Sequence, residues 1–374
     1  MLSPHLYKRL ISNPEAYDAA LLWAVRNGKI PALTRLLDSA PPLLTTAPNK
    51  LLEEAVACNI ESMVHFLLSK GADVNYSQSM VSLLFMAIRS ASESIVRLLI
   101  SHGADVEPTV LHYAVRVGRS DVIRTLCELG VDIEARDYAH QTPLHTACKD
   151  PDLVRVLLEF GADLEAQDYR KHTPLITALL AANLGQEVVV VLELLLEAGA
   201  NVNAMNYRNE TPLSLAIAEH LNPDIVMELL EYSLNLEVKA SSAFTPLMFA
   251  VDEKIPWIVR ELVKRGADLE SRDSHGSTSV LLTIKYPITG SLVEILRILC
   301  EGGADVNVKS AQGASVLHYI ARYTGNFEMI RLVVEAGADL KAVHEGETPL
   351  DAFLSNYQTR GGQNLDEIIQ LLGG

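Results

Sequence analysis

A Thr-Pro-Leu phrase that returns at a regular interval constrains this sequence more than any other feature. It stands intact at Thr142, Thr173, Thr211, Thr245 and Thr348, and weaker copies fill the gaps between and before these positions. Counted once per copy, the threonine slot falls at Ala19, Lys50, Ser82, Thr109, Thr142, Thr173, Thr211, Thr245, Thr278, Ser315 and Thr348. The mean step is about 33 residues, a period that indicates a solenoid whose units pack only on their neighbours.

A second phrase, Gly-Ala-Asp or a close variant, follows the slot at its own offset. It occurs at Gly71, Gly103, Gly130, Gly161, Gly199, Gly266, Gly303 and Gly337. Threonine can cap a helix through its hydroxyl, and proline fits the first helical position, where no amide donor is needed. Glycine ends a helix readily because it adopts left-handed backbone angles. The Leu-rich stretches between the two phrases therefore predict paired helices, each with one buried face.

These two interlocked phrases resemble the ankyrin-repeat family from about Ala19 to Leu372. The resemblance implies an all-α ankyrin-repeat solenoid of about eleven helix-turn-helix repeats with projecting hairpins. Residues 19–372 would form the array and residues 1–18 would cap its first repeat. A histidine follows the leucine of the phrase in several copies, as is usual in this family, and the resemblance implies a structural role for it. These histidines are His112, His145 and His318.

The opening of the chain carries a second, shorter resemblance. The stretch from Pro4-His5-Leu6-Tyr7 to Trp23-Ala24 is similar to the segment that joins an F-box to ankyrin repeats in a group of fungal proteins. The F-box itself is missing from this sequence. A ubiquitin-ligase substrate adaptor is therefore one of the functions that the sequence leaves open.

Charge and hydropathy argue against several classes of function. The formal net charge of −16 repels phosphate backbones, so we expect no nucleic-acid partner. Charges interrupt the apolar runs, and no run reaches the roughly 20 residues of a membrane span. Residues 1–10 lack the features of a secretory signal, which predicts a soluble protein of the cytoplasm, with the nucleus as the alternative. The four cysteines lie too far apart for a paired zinc motif, and we expect neither a metal nor a cofactor.

Some intervals depart from the period, and function in a repeat protein is sought at such departures. The connection from Gly103 to Thr109 has six residues where twelve are usual, which predicts that one hairpin is missing. The span from slot to glycine is usually twenty-one residues, but it grows to twenty-six after Thr173 and twenty-five after Thr278. We expect the added residues between the two helices of each repeat, near residues 181–187 and 286–291.

The hairpins are expected to present a row of tyrosines. Four places before the slot, three consecutive repeats carry Tyr138, Tyr169 and Tyr207, and two of them continue with Arg170 and Arg208. In the family, the hairpin tips and the end of the first helix are binding positions. Exposed tyrosines favour recognition because they are bulky and have few rotamers. The row is therefore a candidate partner site, and the alternative is that the three rings rest on neighbouring hairpins.

The groove end of the first helix carries charges that are ordered by sign. The candidates lie seven and eight places after the slot. They are Arg26, Arg89, Arg116 and Lys149 in the early repeats, Glu219, Asp252 and Glu253 in the middle, and Lys285, Tyr286, Arg322 and Tyr323 in the ninth and tenth. This order predicts a groove that is positive in its N-terminal half and mixed beyond, where a protein partner could dock an acidic segment. The alternative is that each helix end is charged for solubility alone.

The sequence contains no nucleophile elbow, phosphate loop, zinc signature or dinucleotide fingerprint. A protein-interaction scaffold is therefore the expected function, and a non-enzyme is favoured. Asp252, Glu253, Tyr286 and Tyr323 could still carry acid-base chemistry on a bound small molecule, with carboxylates as bases and tyrosines as acids. A small-molecule binder, or an unusual enzyme built on this scaffold, is the second alternative.

Overall fold

The computed structural model describes residues 13–38, 47–76, 82–181, 186–232, 235–285, 287–360 and 365–373. The chain forms two compact units, Met1–Tyr169 and Arg170–Gly374. Within the described residues the regular structure is helical, and extended backbone pairs only at isolated bridges, Lys309 with Ser315 and His344 with Glu347. The prediction of an all-α fold is confirmed.

The first unit contains helices α1 to α10, arranged as pairs. They are α1 Pro14–Arg26, α2 Ile30–Asp38, α3 Ala47–Ala57, α4 Glu61–Ser69, α5 Leu83–Ser90, α6 Glu93–Ser101, α7 Val110–Val117, α8 Ser120–Glu128, α9 Pro143–Ala147 and α10 Pro151–Glu159. The first helix of each pair packs on its partner and on the first helix of the next pair, as α5 packs on α7 and α7 on α9. Each pair thus buries its apolar face only against its neighbours.

The second unit continues with helices α11 to α22. They are α11 Pro174–Leu180, α12 Gln186–Glu197, α13 Pro212–Ala218, α14 Pro223–Tyr232, α15 Pro246–Asp252, α16 Pro256–Lys264, α17 Ser279–Leu282, α18 Gly290–Glu301, α19 Val316–Tyr319, α20 Phe327–Glu335, α21 Pro349–Arg360 and α22 Leu365–Leu371. A 3-10 turn at Ser241–Ala243 and a π-helical turn at Ile320–Thr324 supplement them. The 22 helices of the described residues make eleven pairs, the predicted number of repeats. None of these described helices is long and apolar enough to cross a membrane.

The Thr-Pro-Leu phrase starts the first helix of its repeat with local hydrogen bonds. The Thr173 hydroxyl oxygen accepts from the Ile176 amide at 3.4 Å, and Pro174 occupies the first helical position. The Thr211 hydroxyl accepts from the Ser214 amide at 3.2 Å, while the Ser214 hydroxyl accepts from the Thr211 amide at 2.8 Å. These bonds satisfy amide donors that the first turn of a helix leaves unpaired.

The first two slots differ because neither holds a capping residue. Ala19 lies inside α1 and Lys50 inside α3, so both helices begin before their slots. α1 starts at Pro14, where the side-chain oxygen of Asn13 accepts a hydrogen bond from the Ala16 amide at 3.3 Å. Residues 14–18 of the predicted capping segment therefore belong to the first helix. Residues 1–12 of that segment lie outside the described residues.

The added residues of the two long repeats extend helices as well as connections. α12 and α18 have 12 residues each, whereas α10, α16 and α20 have 9. All five end two residues before the glycine of the second phrase, so the extra turn lies at the N-terminal end. Val188 and Leu292 lie in this turn and are buried, which explains why it is helical. The sequence predicts that the added residues lie in the connection between the two helices of each repeat. For the residues that form this extra helical turn, that prediction is wrong.

The hairpins are tight turns that link neighbouring repeats. In the first unit, the Asp137 amide closes one turn by donating to the Gln141 carbonyl at 3.0 Å. The backbone amide of the aspartate in a Gly-Ala-Asp phrase also donates a hydrogen bond to a side-chain oxygen of a residue earlier in the chain. The donor and acceptor atoms are 2.7 to 2.8 Å apart. The acceptor and donor pairs are Asn49 with Asp73, Asn75 with Asp105, Glu134 with Asp163, Glu237 with Asp268, Glu270 with Asp305, and Asn307 with Asp339.

One hairpin of the first unit is missing, as the short interval predicts. After Gly103 the chain runs for a few residues without regular structure and then turns into α7. The Val110 amide donates to the Glu107 carbonyl at 2.9 Å, so the connection closes as a helical turn. The surface between the third and fourth repeats is therefore left open at this edge.

Candidate functional site

The hairpin tyrosines are exposed to different extents. In the first unit, Tyr138 is 98% exposed and Tyr169 is 67% exposed. The Tyr169 ring packs against His140 of the preceding hairpin, with ring centroids 4.1 Å apart. In the second unit, Tyr207 is 50% exposed. The alternative that the rings rest on neighbouring hairpins thus holds in part for Tyr169 and does not hold for Tyr138, whose ring is almost fully exposed to solvent.

The two hairpin arginines of the second unit are exposed and lie beside Tyr207. The Arg208 guanidinium lies over the Tyr207 ring, 5.2 Å from its centroid, a distance at which a cation and an aromatic face attract. The Arg170 carbonyl accepts a hydrogen bond from the Tyr207 amide at 2.9 Å. Backbone and side-chain contacts therefore hold this tyrosine with its arginines at the tip of the hairpin.

The tyrosine hairpins place residues other than glycine in the left-handed region of the backbone. The φ angle is 58° at His140, 56° at Lys171 and 58° at Asn209, whereas Gly276 and Gly313 fill the same position in later hairpins. Left-handed angles cost an ordinary L-residue roughly 1 kcal/mol relative to glycine. Ala243 has a φ angle of 59° at the same position of a hairpin that carries no tyrosine, so the left-handed residue belongs to the turn type and does not distinguish the tyrosine hairpins.

Three cations lie at the ends of successive first helices in the first unit. Arg89 is in the last turn of α5, Arg116 is in the last turn of α7, and Lys149 follows α9. All three are exposed, and none has an ion-pair partner among the described residues. Arg26 in α1 differs, because its guanidinium contacts the Glu54 carboxylate at 2.6 Å. The positive surface predicted for the early repeats therefore rests on three residues instead of four.

The acidic candidates of the middle repeats lie at the ends of α13 and α15. Glu219 follows α13 and is exposed, and Asp252 is the last residue of α15. Glu253 follows it, with its carboxylate 3.1 Å from Nε2 of His220.

A π-helical turn carries the last candidates, Arg322 and Tyr323. The exposed Tyr323 ring lies 5.5 Å from the Tyr319 ring, and Arg322 pairs with the carboxylates of Glu345 and Glu347. A cavity of about 130 Å³ adjoins these side chains. Such turns are frequent at functional sites. The periodic pattern indicated Arg322 and Tyr323 but gave no signal for the π turn or for the carboxylates that neutralise Arg322.

The residues considered for acid-base chemistry have different neighbours in the second unit. Glu253 contacts His220, and Tyr323 contacts Tyr319. Lys285 is exposed, and Tyr286 lies outside the described residues. In the part of the chain that the structure describes, no group of three His, Cys, Asp or Glu side chains could hold a metal ion.

The cysteines are free thiols held in their protonated form. Burial raises the pKa of Cys148 to about 12, and it raises the pKa of Cys127 and of Cys300 to about 11. A nucleophilic cysteine needs a thiolate, which a raised pKa removes at neutral pH. These three thiols are therefore packing residues.

Two buried histidines each link a first helix to the hairpin that follows it. His112 is fully buried, and its Nε2 lies 2.8 Å from the Gln141 carbonyl oxygen, to which it donates. His318 makes the same contact with the Glu347 carbonyl at 3.3 Å. Burial lowers the pKa of both histidines, and these carbonyl contacts oppose the effect only in part. Both rings are thus held neutral in the folded protein.

The lowered pKa values of His112 and His318 predict that the stability of the folded protein depends on pH. An unfolded histidine has a pKa of about 6.5. Because the folded pKa is lower, the stabilisation is fully present above about pH 6.5 and is lost as the pH falls from there through the folded pKa. We expect urea midpoints to decrease from pH 7.5 to 5.5, and to decrease less in His112→Gln and in His318→Gln. Equal slopes in the wild type and both variants would contradict this assignment.

A family model and several known proteins match parts of this sequence. The family model of ankyrin repeats matches three copies, at residues 52–137, 138–206 and 179–273, which together cover more than half of the chain. The B-cell lymphoma 3 protein homolog of Mus musculus is 33% identical over 126 residues, which are 33% of this chain and 28% of that protein. Ankyrin repeat and SOCS box protein 6 of Homo sapiens is 36% identical over 128 residues, 32% of this chain and 30% of that protein. The chain therefore matches less than a third of the length of these relatives.

Two solved structures that match part of this chain are ankyrin repeat domains. An ankyrin repeat domain from Acinetobacter baumannii is 26% identical with a TM-score of 0.49, and the match covers 53% of this chain and 98% of that one. The ankyrin repeat domain of Bcl-3 is 24% identical with a TM-score of 0.45, over 74% of this chain and 97% of that one. With a family model that matches more than half of its length and paired helices throughout its described residues, the chain belongs to the ankyrin-repeat family.

Proposed function

We propose that this chain is a protein-interaction scaffold whose first unit binds an acidic segment of a partner protein. The observation that carries the proposal is the row formed by Arg89, Arg116 and Lys149, called the basic row below. Its members occupy the ends of three successive first helices, and none is neutralised by a carboxylate among the described residues.

The spacing of the basic row suits an extended peptide. Helices that pack side by side lie about 8 to 10 Å apart. A segment in the polyproline II conformation advances about 3.1 Å per residue with three residues per turn, so side chains three residues apart lie on one face and span about one helix spacing. A segment with an acidic residue at every third position could therefore pair with each member of the row. Tyr138 and Tyr169, on hairpins of the same unit, could add aromatic contacts to such a segment.

The net charge of the protein makes this local surface selective. At −16 the molecule as a whole repels an acidic ligand, so attraction has to come from the basic row itself. Each exposed ion pair is worth little in water, about 0 to 1 kcal/mol. Binding should therefore be graded, with each cation contributing a modest share, and it should weaken as salt screens the charges.

The test uses a labelled twelve-residue peptide with glutamate at every third position, and fluorescence anisotropy as the readout. Arg89→Glu, Arg116→Glu and Lys149→Glu should each weaken binding by roughly threefold to tenfold. Arg97→Glu is the matched control, because it makes the same change of charge on α6, where Arg97 is paired with Glu128 at 2.7 Å. It should leave the affinity nearly unchanged.

Two outcomes would count against the proposal. If Arg97→Glu weakened binding as much as Arg116→Glu, the attraction would depend on total charge and not on the row. If a peptide with glutamine in place of every glutamate bound equally well, the partner would not be recognised by its acidic side chains.

A further inference from the structure

The gap left by the missing hairpin is a second surface of the first unit, separate from the basic row. It forms a groove of about 520 Å³ between the connection that follows α6 and the start of the next hairpin. Its apolar lining includes Ile100, Val106, Leu129 and Val131. Val106 is 39% exposed, whereas Val74, at the same position one repeat earlier, is 8% exposed. Where the hairpin is missing, the side chain of Val106 is thus exposed, whereas the corresponding side chain of the preceding repeat is buried.

The backbone in this groove lacks a side-chain hydrogen bond that other repeat boundaries have, although Glu107 occupies the position, four residues after the phrase glycine, from which Asn75 and Glu134 supply it. The amide of Asp105 is bound by the Asn75 side-chain oxygen at 2.8 Å, and the Asn75 side-chain nitrogen donates to the Gly103 carbonyl at 3.1 Å. One repeat later the corresponding atoms are the Asp132 amide and the Gly130 carbonyl. Neither has a hydrogen-bond partner among the described residues.

The same arrangement in the second unit shows what would fit there. The Asn307 side chain accepts from the Asp339 amide at 2.8 Å and donates to the Gly337 carbonyl at 3.0 Å. The valines on either side of it, Val306 and Val308, are buried. An asparagine flanked by apolar residues therefore satisfies one donor, one acceptor and one apolar surface together.

Charge selects further among such segments. Glu107 and Asp132 line the groove and have no ion-pair partner among the described residues. The one cation in the lining, Arg136, donates to the His140 and Gln167 carbonyls and is thereby directed to the hairpins. The Asp132 carboxylate accepts a hydrogen bond from the Glu134 amide at 2.9 Å but has no cation beside it among the described residues, so a basic side chain on the occupant would complement both carboxylates.

We propose that this groove binds an extended segment of a partner protein in which an asparagine lies between two apolar residues and a basic residue follows. The asparagine amide bridges the Asp132 amide and the Gly130 carbonyl, and the apolar side chains cover Val106 and Leu129. The segment supplies from another molecule the hairpin contacts that the short connection from Gly103 to Thr109 does not make.

The probe is a labelled peptide with the sequence of Val306–Ala314, Val-Asn-Val-Lys-Ser-Ala-Gln-Gly-Ala, which carries all the required features. It should bind the full chain in an anisotropy titration. Leucine in place of the peptide asparagine should weaken binding by roughly tenfold, because both hydrogen bonds are lost. Hydrogen exchange of the Asp132 amide should slow when the peptide is bound.

Two variants of the protein test the location. Leu129→Asp places a charge in the apolar lining and should weaken peptide binding by roughly tenfold or more. Val343→Asp, at an exposed valine of the second unit, is the matched control and should have no effect. In a second variant, the seven residues Val308–Ala314 replace Pro108, which restores the usual hairpin length and should abolish peptide binding.

Failure of the peptide to bind the wild type would overturn the proposal. So would equal effects of Leu129→Asp and Val343→Asp, or full binding by the variant with the restored hairpin. Should that variant not fold, the comparison of the two aspartate substitutions decides. The acidic peptide used for the basic row should bind Leu129→Asp as well as it binds the wild type, so the two proposals fail independently.

Discussion

Replacing Leu157 with alanine should lower the free energy of unfolding by about 2 to 5 kcal/mol. Leu157 lies in α10 and its side chain is fully buried, so the change removes apolar contacts and leaves a cavity between helices. Tyr169→Ala removes more atoms but should cost less than about 1 kcal/mol, since the ring is mostly exposed and its main contact is with His140. The measurement is equilibrium unfolding in urea, followed by circular dichroism.

Tyr138→Ala is the matched control for this comparison. Its ring is almost fully exposed, so its stability should stay within about 0.5 kcal/mol of the wild type. A loss at Tyr169 equal to that at Leu157 would mean that the tyrosines are structural, and it would remove them from the candidate binding surface.

Gly302→Ala should destabilise the second unit by about 1 to 3 kcal/mol. A Cβ atom at Gly302 would lie 2.7 Å from Cγ1 of Val263 and 3.3 Å from the Ile298 carbonyl oxygen, closer than packed atoms approach. Val263 belongs to α16, and its β-branched side chain has little rotamer freedom in a helix, so the contact is hard to relieve. The backbone angles at Gly302 are right-handed, so steric overlap alone is tested.

Gly290→Ala, at the opposite end of α18, is the control. A Cβ atom there has no atom within 4 Å, and the substitution reduces the entropy of the unfolded chain to the same extent. It should leave stability unchanged or raise it by up to about 1 kcal/mol. If both glycine variants had the same stability, Gly302 would not be required by the packing of α16 on α18.

Much of the fold follows from the sequence because its determinants are local. The threonine of a full phrase caps its own helix, as Thr173 does through the Ile176 amide three residues on, and the count of repeats follows from the spacing of full and weaker copies. Where the local signal is absent, prediction fails. Ala19 and Lys50 cannot cap, and their helices begin earlier. Val188 and Leu292 extend their helices because of tertiary burial, which a period of about 33 residues does not encode.

The candidate site was less predictable because it depends on contacts between residues distant in sequence. Arg26 and Arg116 occupy comparable positions, yet only Arg26 faces a carboxylate, that of Glu54 in the next repeat. Glu253 is paired with His220, a residue that no phrase singles out. The exposure of Tyr138 and the open groove beside Val106 likewise depend on where neighbouring hairpins lie. The spacing of residues in the sequence indicates which side chains lie on the surface. Whether such a side chain is already paired with another residue can be read only from the structure.

The missing hairpin also affects how the first unit comes apart. In a linear array each repeat is held by its own stability and by the interfaces with its neighbours. The interface between α6 and α8 keeps the exposed Arg97–Glu128 pair but lacks the side-chain link to the Asp132 amide, while links to Asp105 and Asp163 persist on either side. Partial unfolding should therefore begin at this boundary, so that helices before Gly103 and helices after Thr109 open as separate blocks with their own free energies of hydrogen exchange. A partner segment seated in the groove would join the two blocks into one cooperative unit.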